Sequence, residues 1–134
     1  MKTNKFNGYC SLYNVNYYNA FMIMPHAYDN SDTKRVPVLK YDNFNDPSCV
    51  IGYAILSTKN NIGAMAMCFL NEDIEIDNIV LDGYSTTDNC IRDPNTMLKQ
   101  VISGTIRCII LRQKEVCPYH ECVTAVKDEE NNEN

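Results

Sequence analysis

The feature that most constrains the fold of this chain is an alternation of apolar and polar side chains with a period of two residues. Successive side chains of a β-strand point to opposite faces of a sheet, so this alternation predicts half-buried strands. Short apolar runs bounded by turn residues extend the prediction. The segments concerned are residues 6–13, 20–24, 36–40, 50–57 and 64–70. Between the last two segments, the sequence KNNIG supplies Asn and Gly for a turn, which predicts an antiparallel hairpin.

The alternation weakens in the second half of the chain. Residues 71–84 fit either a short helix or a strand, and the polar residues 85–95 predict a loop. Further strands are expected at 97–113, as one long strand or two, and at 120–126. The predicted fold class is therefore mainly β with little helix, arranged as a small barrel or a sandwich.

Composition limits the domain organisation and the classes of partner. The chain has 134 residues and a formal net charge of −5, which fits one domain with a modest core. Four acidic residues lie in the last seven positions, so we expect one domain over residues 1–126 and a disordered acidic tail at 127–134. The chain lacks the basic character of nucleic-acid-binding proteins. It also lacks an apolar run after its first lysines and the roughly 20 apolar residues of a membrane helix.

The cysteines indicate a reducing compartment. Seven of them are scattered along a chain without an export signal, which predicts reduced, mostly buried thiols rather than a disulfide framework. Cys117, His120 and Cys122 are metal-ligand residue types, but they lack the paired Cys-x2-Cys spacing of structural zinc sites. We therefore expect no metal and no cofactor.

Several sequence motifs follow one another in an order typical of one protein family. They are FNGYCSLYN at 6–14, IMPHAY at 23–28, KRVPVLKYDNFNDPSCVIGYAIL at 34–56 and IGAMAMCFLN at 62–71. Their order resembles that of the head-maturation (prohead) proteases of tailed phages, and GTIRCIIL at 104–111 and CPYHECV at 117–123 are more loosely similar to late segments of that family. The resemblance implies a small β-barrel related to the herpesvirus proteases, in which a histidine activates a serine nucleophile.

The matching positions lack the catalytic residues of that family. The histidine triplet after the third strand aligns with residues 40–42, which places Asp42 where the base belongs. An aspartate with a pKa of about 3.9 is a weak base for a serine hydroxyl. The serine position aligns with Val80, which has no nucleophilic atom. We therefore predict a degenerate site marked by Asp42 and Val80, with no catalytic residue.

A shifted alignment offers an alternative, in which Ser85 is the nucleophile and His26 or His120 its base. This alternative predicts an active serine endopeptidase that processes phage scaffold and capsid proteins. It requires a moved nucleophile and a new base together. The simpler interpretation of Ser85 is a polar loop residue.

Tyrosines concentrate near the start of the chain, and Tyr17 and Tyr18 form an adjacent pair there. Tyrosine is enriched at protein interfaces because it combines a large apolar ring with a hydroxyl group. The pair is a candidate contact surface, and its alternative role is to pack over the mouth of the barrel.

The expected function is that of a non-enzymatic phage head or capsid assembly protein, a pseudoprotease that binds the major capsid protein or a scaffold protein. A small phage-encoded inhibitor of a host protein is a further alternative. The resemblance also implies a homo-oligomer. We expect the host cytoplasm during assembly, or the virion, as its location, with neither nucleic acid nor membrane as a partner.

Overall fold

The structure of the protein, a computed structural model, describes residues 1–40, 43 and 45–114 and the backbone of residues 124–125. The described residues form eight strands and two short 3-10 turns, and no α-helix occurs among them, so the prediction of a mainly β fold is confirmed. The strands are β1 (Lys2–Leu12), β2 (Phe21–Ile23), β3 (Arg35–Leu39), β4 (Val50–Ser57), β5 (Gly63–Glu75), β6 (Ile79–Arg92), β7 (Lys99–Gln113) and β8 (Thr124–Ala125).

All eight strands belong to one sheet, which curls into a half-barrel. Its order is β2-β7-β3-β4-β5-β1-β8, and β6 pairs with β7. Strands β2 and β3 lie parallel to β7, whereas β6 lies antiparallel to it along nearly its whole length. Between β2 and β3, the edge of β7 is bonded by the connecting segment: Gly104 donates its N–H to the Ala27 carbonyl, and Ile106 donates to the Ser31 hydroxyl. These bonds satisfy backbone groups that burial would otherwise leave unpaired.

The curl of the sheet brings β1 close to β6. A Cβ atom at Gly83 of β6 would lie 3.1 Å from the Cys10 carbonyl oxygen and 3.2 Å from its Sγ atom. Glycine is therefore the residue that permits this close approach. We call this contact between Cys10 and Gly83 the seam. Beyond it, β1 ends at Leu12, and the next residue, Tyr13, forms a single parallel bridge with Ile23 of β2.

A large cluster of buried apolar side chains holds the curled sheet together. It draws on β1 and on every strand from β3 to β7, with Phe6, Leu56, Leu81 and Ile109 among its fully buried members. Burial of one such side chain stabilises the fold by about 1.5–3 kcal/mol relative to leaving it exposed. The predicted hairpin is confirmed, since β4 and β5 pair antiparallel with Ala54 opposite Cys68.

The largest correction concerns the second half of the chain. Residues 85–95 were expected to be a loop, but Ser85–Arg92 continues β6 and pairs with β7. The polar composition of this stretch reflects exposure to solvent, because the end of the β6–β7 hairpin extends beyond the buried core. The open choice at 71–84 is settled in favour of strand, with Asn78 in a left-handed conformation (φ 64°) at the turn between β5 and β6.

The described cysteines agree with the prediction of reduced, mostly buried thiols. Cys10, Cys49, Cys68 and Cys108 are free and buried, and Cys90 is free and exposed. Cys117 and Cys122 lie outside the described residues, as does the predicted tail at 127–134. No helix in the described part of the chain has the length and apolar character needed to cross a membrane.

Candidate functional site

A small cavity of about 120 Å³ opens beside the seam. Strands β1, β2 and β6 and the segments that follow β1 and β2 surround it. The lining residues are Cys10, Ser11, Tyr17, Tyr18, Phe21, Ile23, Tyr28, Asp82, Gly83 and Ser85. We call it the seam cavity. It brings together three residues that the sequence singled out separately, namely Tyr17, Tyr18 and Ser85.

Three hydroxyl groups, those of Ser11, Tyr28 and Ser85, form a hydrogen-bonded cluster in the seam cavity, which the Asp82 side chain also lines. The Tyr28 hydroxyl lies 2.9 Å from the Ser85 Oγ atom and also hydrogen-bonds to Ser11. Hydroxyl groups both donate and accept hydrogen bonds, so the cluster offers polar contacts of either kind. Burial raises the pKa of Tyr28 above its usual value near 10, so its phenol is protonated at neutral pH. A protonated phenol cannot take a proton from Ser85.

The histidine proposed as a relocated base has a different partner. His26 is exposed, adopts a left-handed backbone conformation (φ 70°), and its Nδ1 atom lies 3.3 Å from Asp29 Oδ2. The hydrogen bond of Ser85 goes to Tyr28 instead. Within the part of the chain that the structure describes, these contacts do not form a serine–histidine pair. His120 lies outside that part, so a role for it stays a prediction.

Of the two positions predicted to be degenerate, the structure describes one, Val80. Val80 lies in β6, pairs with Arg112 of β7 and is fully buried. A buried valine contributes packing to the sheet and offers no atom for catalysis. Asp42 lies outside the described residues.

The tyrosine pair divides into a buried and an exposed member. Tyr17 is buried, its hydroxyl oxygen accepts the Leu12 N–H at 2.9 Å, and its ring stacks on Phe21 with 5.2 Å between the ring centroids. Tyr18 follows in a left-handed conformation (φ 57°) and is 60% exposed. Tyr17 therefore belongs to the buried core, and Tyr18 is the member accessible to a partner.

The sequence did not single out several residues of the site as functional. Tyr28 and Ser11 join Ser85 only because the curled sheet brings β1, the segment after β2 and β6 together. Asp82 pairs with Arg112 across β6 and β7, with 2.6 Å between Oδ2 and Nε. The sequence separations are too wide for any local pattern to reveal these contacts.

The described residues contain no group of three or more His, Cys, Asp or Glu side chains that could hold a metal ion. No protein-family model, no curated protein and no solved structure matches this chain. The fold and the site therefore define a mainly β protein with a hydroxyl-lined cavity at the seam of a curled sheet.

Proposed function

We propose that this chain is a non-enzymatic assembly protein of a phage head, which binds the major capsid protein or a scaffold protein at the seam cavity. The sequence resemblance to prohead proteases supplies the class of partner. The observation that carries a binding role is the bond between Ser85 and the protonated phenol of Tyr28. The serine hydroxyl has a structural partner there, so recognition rather than turnover is the chemistry that this cavity supports.

The seam cavity suits one side chain of a bound protein segment. Its volume of about 120 Å³ is far below the ~300–1,000 Å³ of pockets for whole small-molecule ligands. Cys10 and Gly83 line it beside the hydroxyls, and Tyr18 lies exposed at its opening. A polar group of the bound segment that enters the cavity can hydrogen-bond to the hydroxyls. The Tyr18 ring then packs against the part of the same segment outside the cavity.

The test is an incubation of the purified chain with the capsid and scaffold proteins encoded in the same genome. Co-sedimentation reports binding, and intact mass reports cleavage. We expect binding with every mass unchanged. Tyr18→Ala is expected to weaken binding about 10-fold or more, as truncation of an interface aromatic residue does. Tyr84→Ala is the matched control, since Tyr84 is also exposed but does not line the seam cavity.

The same experiment separates the alternatives. Cleavage of a capsid or scaffold protein that is lost in Ser85→Ala would replace this proposal with a serine endopeptidase. Absence of both binding and cleavage would contradict the assignment to phage heads. A host protein would then be the partner to seek, in keeping with an inhibitor.

A further inference from the structure

The outer edge of β6 is a long strand edge without a partner strand in the described structure. One edge of β6 pairs with β7, and on the other edge β1 comes close at Gly83. From Ser85 to Arg92 no strand among the described residues pairs with that second edge. Residues 87–92 are exposed as well. An exposed row of backbone N–H and C=O groups is a template for pairing with another chain.

The length of this edge defines the size of its partner. In a regular antiparallel ladder every second residue bonds to a given neighbour, so Ser85–Arg92, whose register with β7 shifts near Asn89, offers at most about four residues with N–H and C=O groups facing outward. A matching extended segment has about eight residues and spans about 26 Å at 3.3 Å per residue. Strand addition of this kind takes its affinity from main-chain bonds and its specificity from side chains at alternate positions.

Features of the edge favour a different protein over a second copy of this chain. The pairing of β6 with β7 shifts register between Tyr84 and Ser85, between Thr87 and Asn89, and between Asn89 and Cys90. Such bulges limit edge-to-edge self-association. A partner segment must match them, so pairing at this edge is selective.

Two exposed side chains of the edge define the chemistry of that segment. Thr105 Oγ1 donates to Asp88 Oδ2 at 3.0 Å, which holds the exposed Asp88 carboxylate in place. Further along, Ile91 pairs with Gln100 and is 55% exposed. A cationic residue beside Asp88 gains charge complementarity, and an apolar residue beside Ile91 covers its exposed surface.

We propose that the β6 edge from Ser85 to Arg92, with which no described strand pairs, binds an extended segment of another protein by strand addition. The segment has about eight residues, with a basic residue beside Asp88 and an apolar residue beside Ile91. Its capsid or scaffold origin rests on the function proposed above, whereas the edge and the chemistry of the segment do not.

The test starts from a messenger-RNA-displayed library of random 12-residue peptides, selected on the full chain. Selected peptides are then added to the chain, and amide hydrogen exchange is measured by residue. We expect enrichment of peptides with a basic and an apolar residue two or three positions apart. We also expect slowed exchange at 85–92, because amides that bond to a peptide are protected from solvent. An array of overlapping peptides from the capsid and scaffold proteins is examined in parallel.

Two matched variants report whether the edge is the binding surface. Ile91→Lys places a charge where the apolar residue of the peptide packs and is expected to weaken binding at least 10-fold. Ile62→Lys makes the same change at an equally exposed isoleucine (55%) between β4 and β5 and is expected to leave the affinity unchanged. Both side chains are exposed, so neither variant disturbs the core.

Each outcome decides the proposal. Protection outside 85–92, equal losses in both variants, or no selected peptide would overturn it. A dimer of the chain alone that is lost in Ile91→Lys would replace the foreign segment with a second copy. Library peptides that protect 85–92 while capsid and scaffold peptides fail to bind would support the edge and remove the phage partner. Capsid or scaffold binding that leaves 85–92 unprotected would support the phage partner and contradict binding at the edge of β6.

Discussion

At the scale of single residues, Tyr28 joins several distant segments of the chain. No sequence pattern predicted these contacts. Its hydroxyl reaches Ser85 of β6 and Ser11 of β1, and its backbone carbonyl accepts the Thr58 hydroxyl at 3.0 Å. The side chain is only 2% exposed. A buried hydroxyl that satisfies two others fixes the geometry of the cavity, because an unpaired buried polar group costs about 1–3 kcal/mol.

This role of Tyr28 can be measured by removing its hydroxyl. Tyr28→Phe is expected to lower the free energy of unfolding by about 1–2 kcal/mol, since Ser11 and Ser85 both lose a hydrogen-bond partner. Tyr53→Phe is the control, because the Tyr53 ring stacks on Phe69 and this contact survives the change. Its expected effect is below about 0.5 kcal/mol. Urea unfolding checks both variants, and equal effects would contradict the role assigned to the Tyr28 hydroxyl.

At the scale of elements, β6 is the strand that contributes both to the seam cavity and to the exposed edge. Its first part, from Ile79 to Leu81, is buried and contributes to the core, and its last part, from residue 87 on, is exposed. Gly83 lies between these parts, where β1 approaches most closely. The strand therefore belongs to the half-barrel at one end, and at the other it presents an edge with which none of the described strands pairs.

Alanine substitutions at two glycines, Gly52 and Gly83, test how closely neighbouring strands approach each other. A Cβ atom at Gly52 would lie 2.2 Å from the Phe69 carbonyl oxygen of the paired strand, whereas one at Gly83 would lie 3.1 Å from the Cys10 carbonyl oxygen. Gly52→Ala must displace the β4–β5 backbone and is expected to destabilise by about 3 kcal/mol or more. Gly83→Ala needs a smaller shift and is expected to cost about 1–2 kcal/mol.

Thermal and urea unfolding of both alanine variants test this order. Replacing glycine by alanine lowers the entropy of the unfolded chain and so favours folding by about 0.5–1 kcal/mol, which is small beside the clash at Gly52 and offsets part of the cost at Gly83. A Gly83→Ala variant as stable as the parent chain would show that β1 and β6 separate freely at the seam.

In the whole molecule, burial of ionisable groups couples stability to alkaline pH. Burial raises the pKa of Cys68 to about 12 and also raises the pKa values of Cys10, Tyr13 and Tyr28. These groups stay protonated in the folded chain, whereas in the unfolded chain thiols lose their protons near pH 8.5 and phenols near pH 10. Their contribution is therefore complete below about pH 8.5 and is lost as pH rises.

We expect the free energy of unfolding to fall above about pH 9, by up to about 1.4 kcal/mol per pH unit for each such thiol. Cys68→Ala removes one of these protons and is expected to reduce the slope between pH 9 and 11, although its cavity lowers stability at every pH. Val38→Ala also leaves a cavity at a fully buried side chain but removes no ionisable group, so it is expected to leave the slope unchanged. Urea unfolding at several pH values gives the slopes, and identical slopes in all three proteins would contradict the assignment.

The sequence by itself determined the local elements. Period-two alternation identified β1, β3, β4 and β5. The Asn- and Gly-containing turn identified the hairpin of β4 and β5, and the scattered cysteines indicated buried thiols. These properties depend on neighbouring residues, so a single sequence carries them. The barrel of the prohead proteases and the phage partner rest on resemblance and stay predictions.

Only the tertiary structure decided what lies at the seam. Residues 85–92 have the polar composition of a loop, and it is pairing with β7 that makes them a strand. Tyr28 and Ser85 are 57 positions apart, and the curl of the sheet brings their hydroxyls together. Contacts at such separations arise from how the strands pair and curl, and local side-chain periodicity contains no information about them.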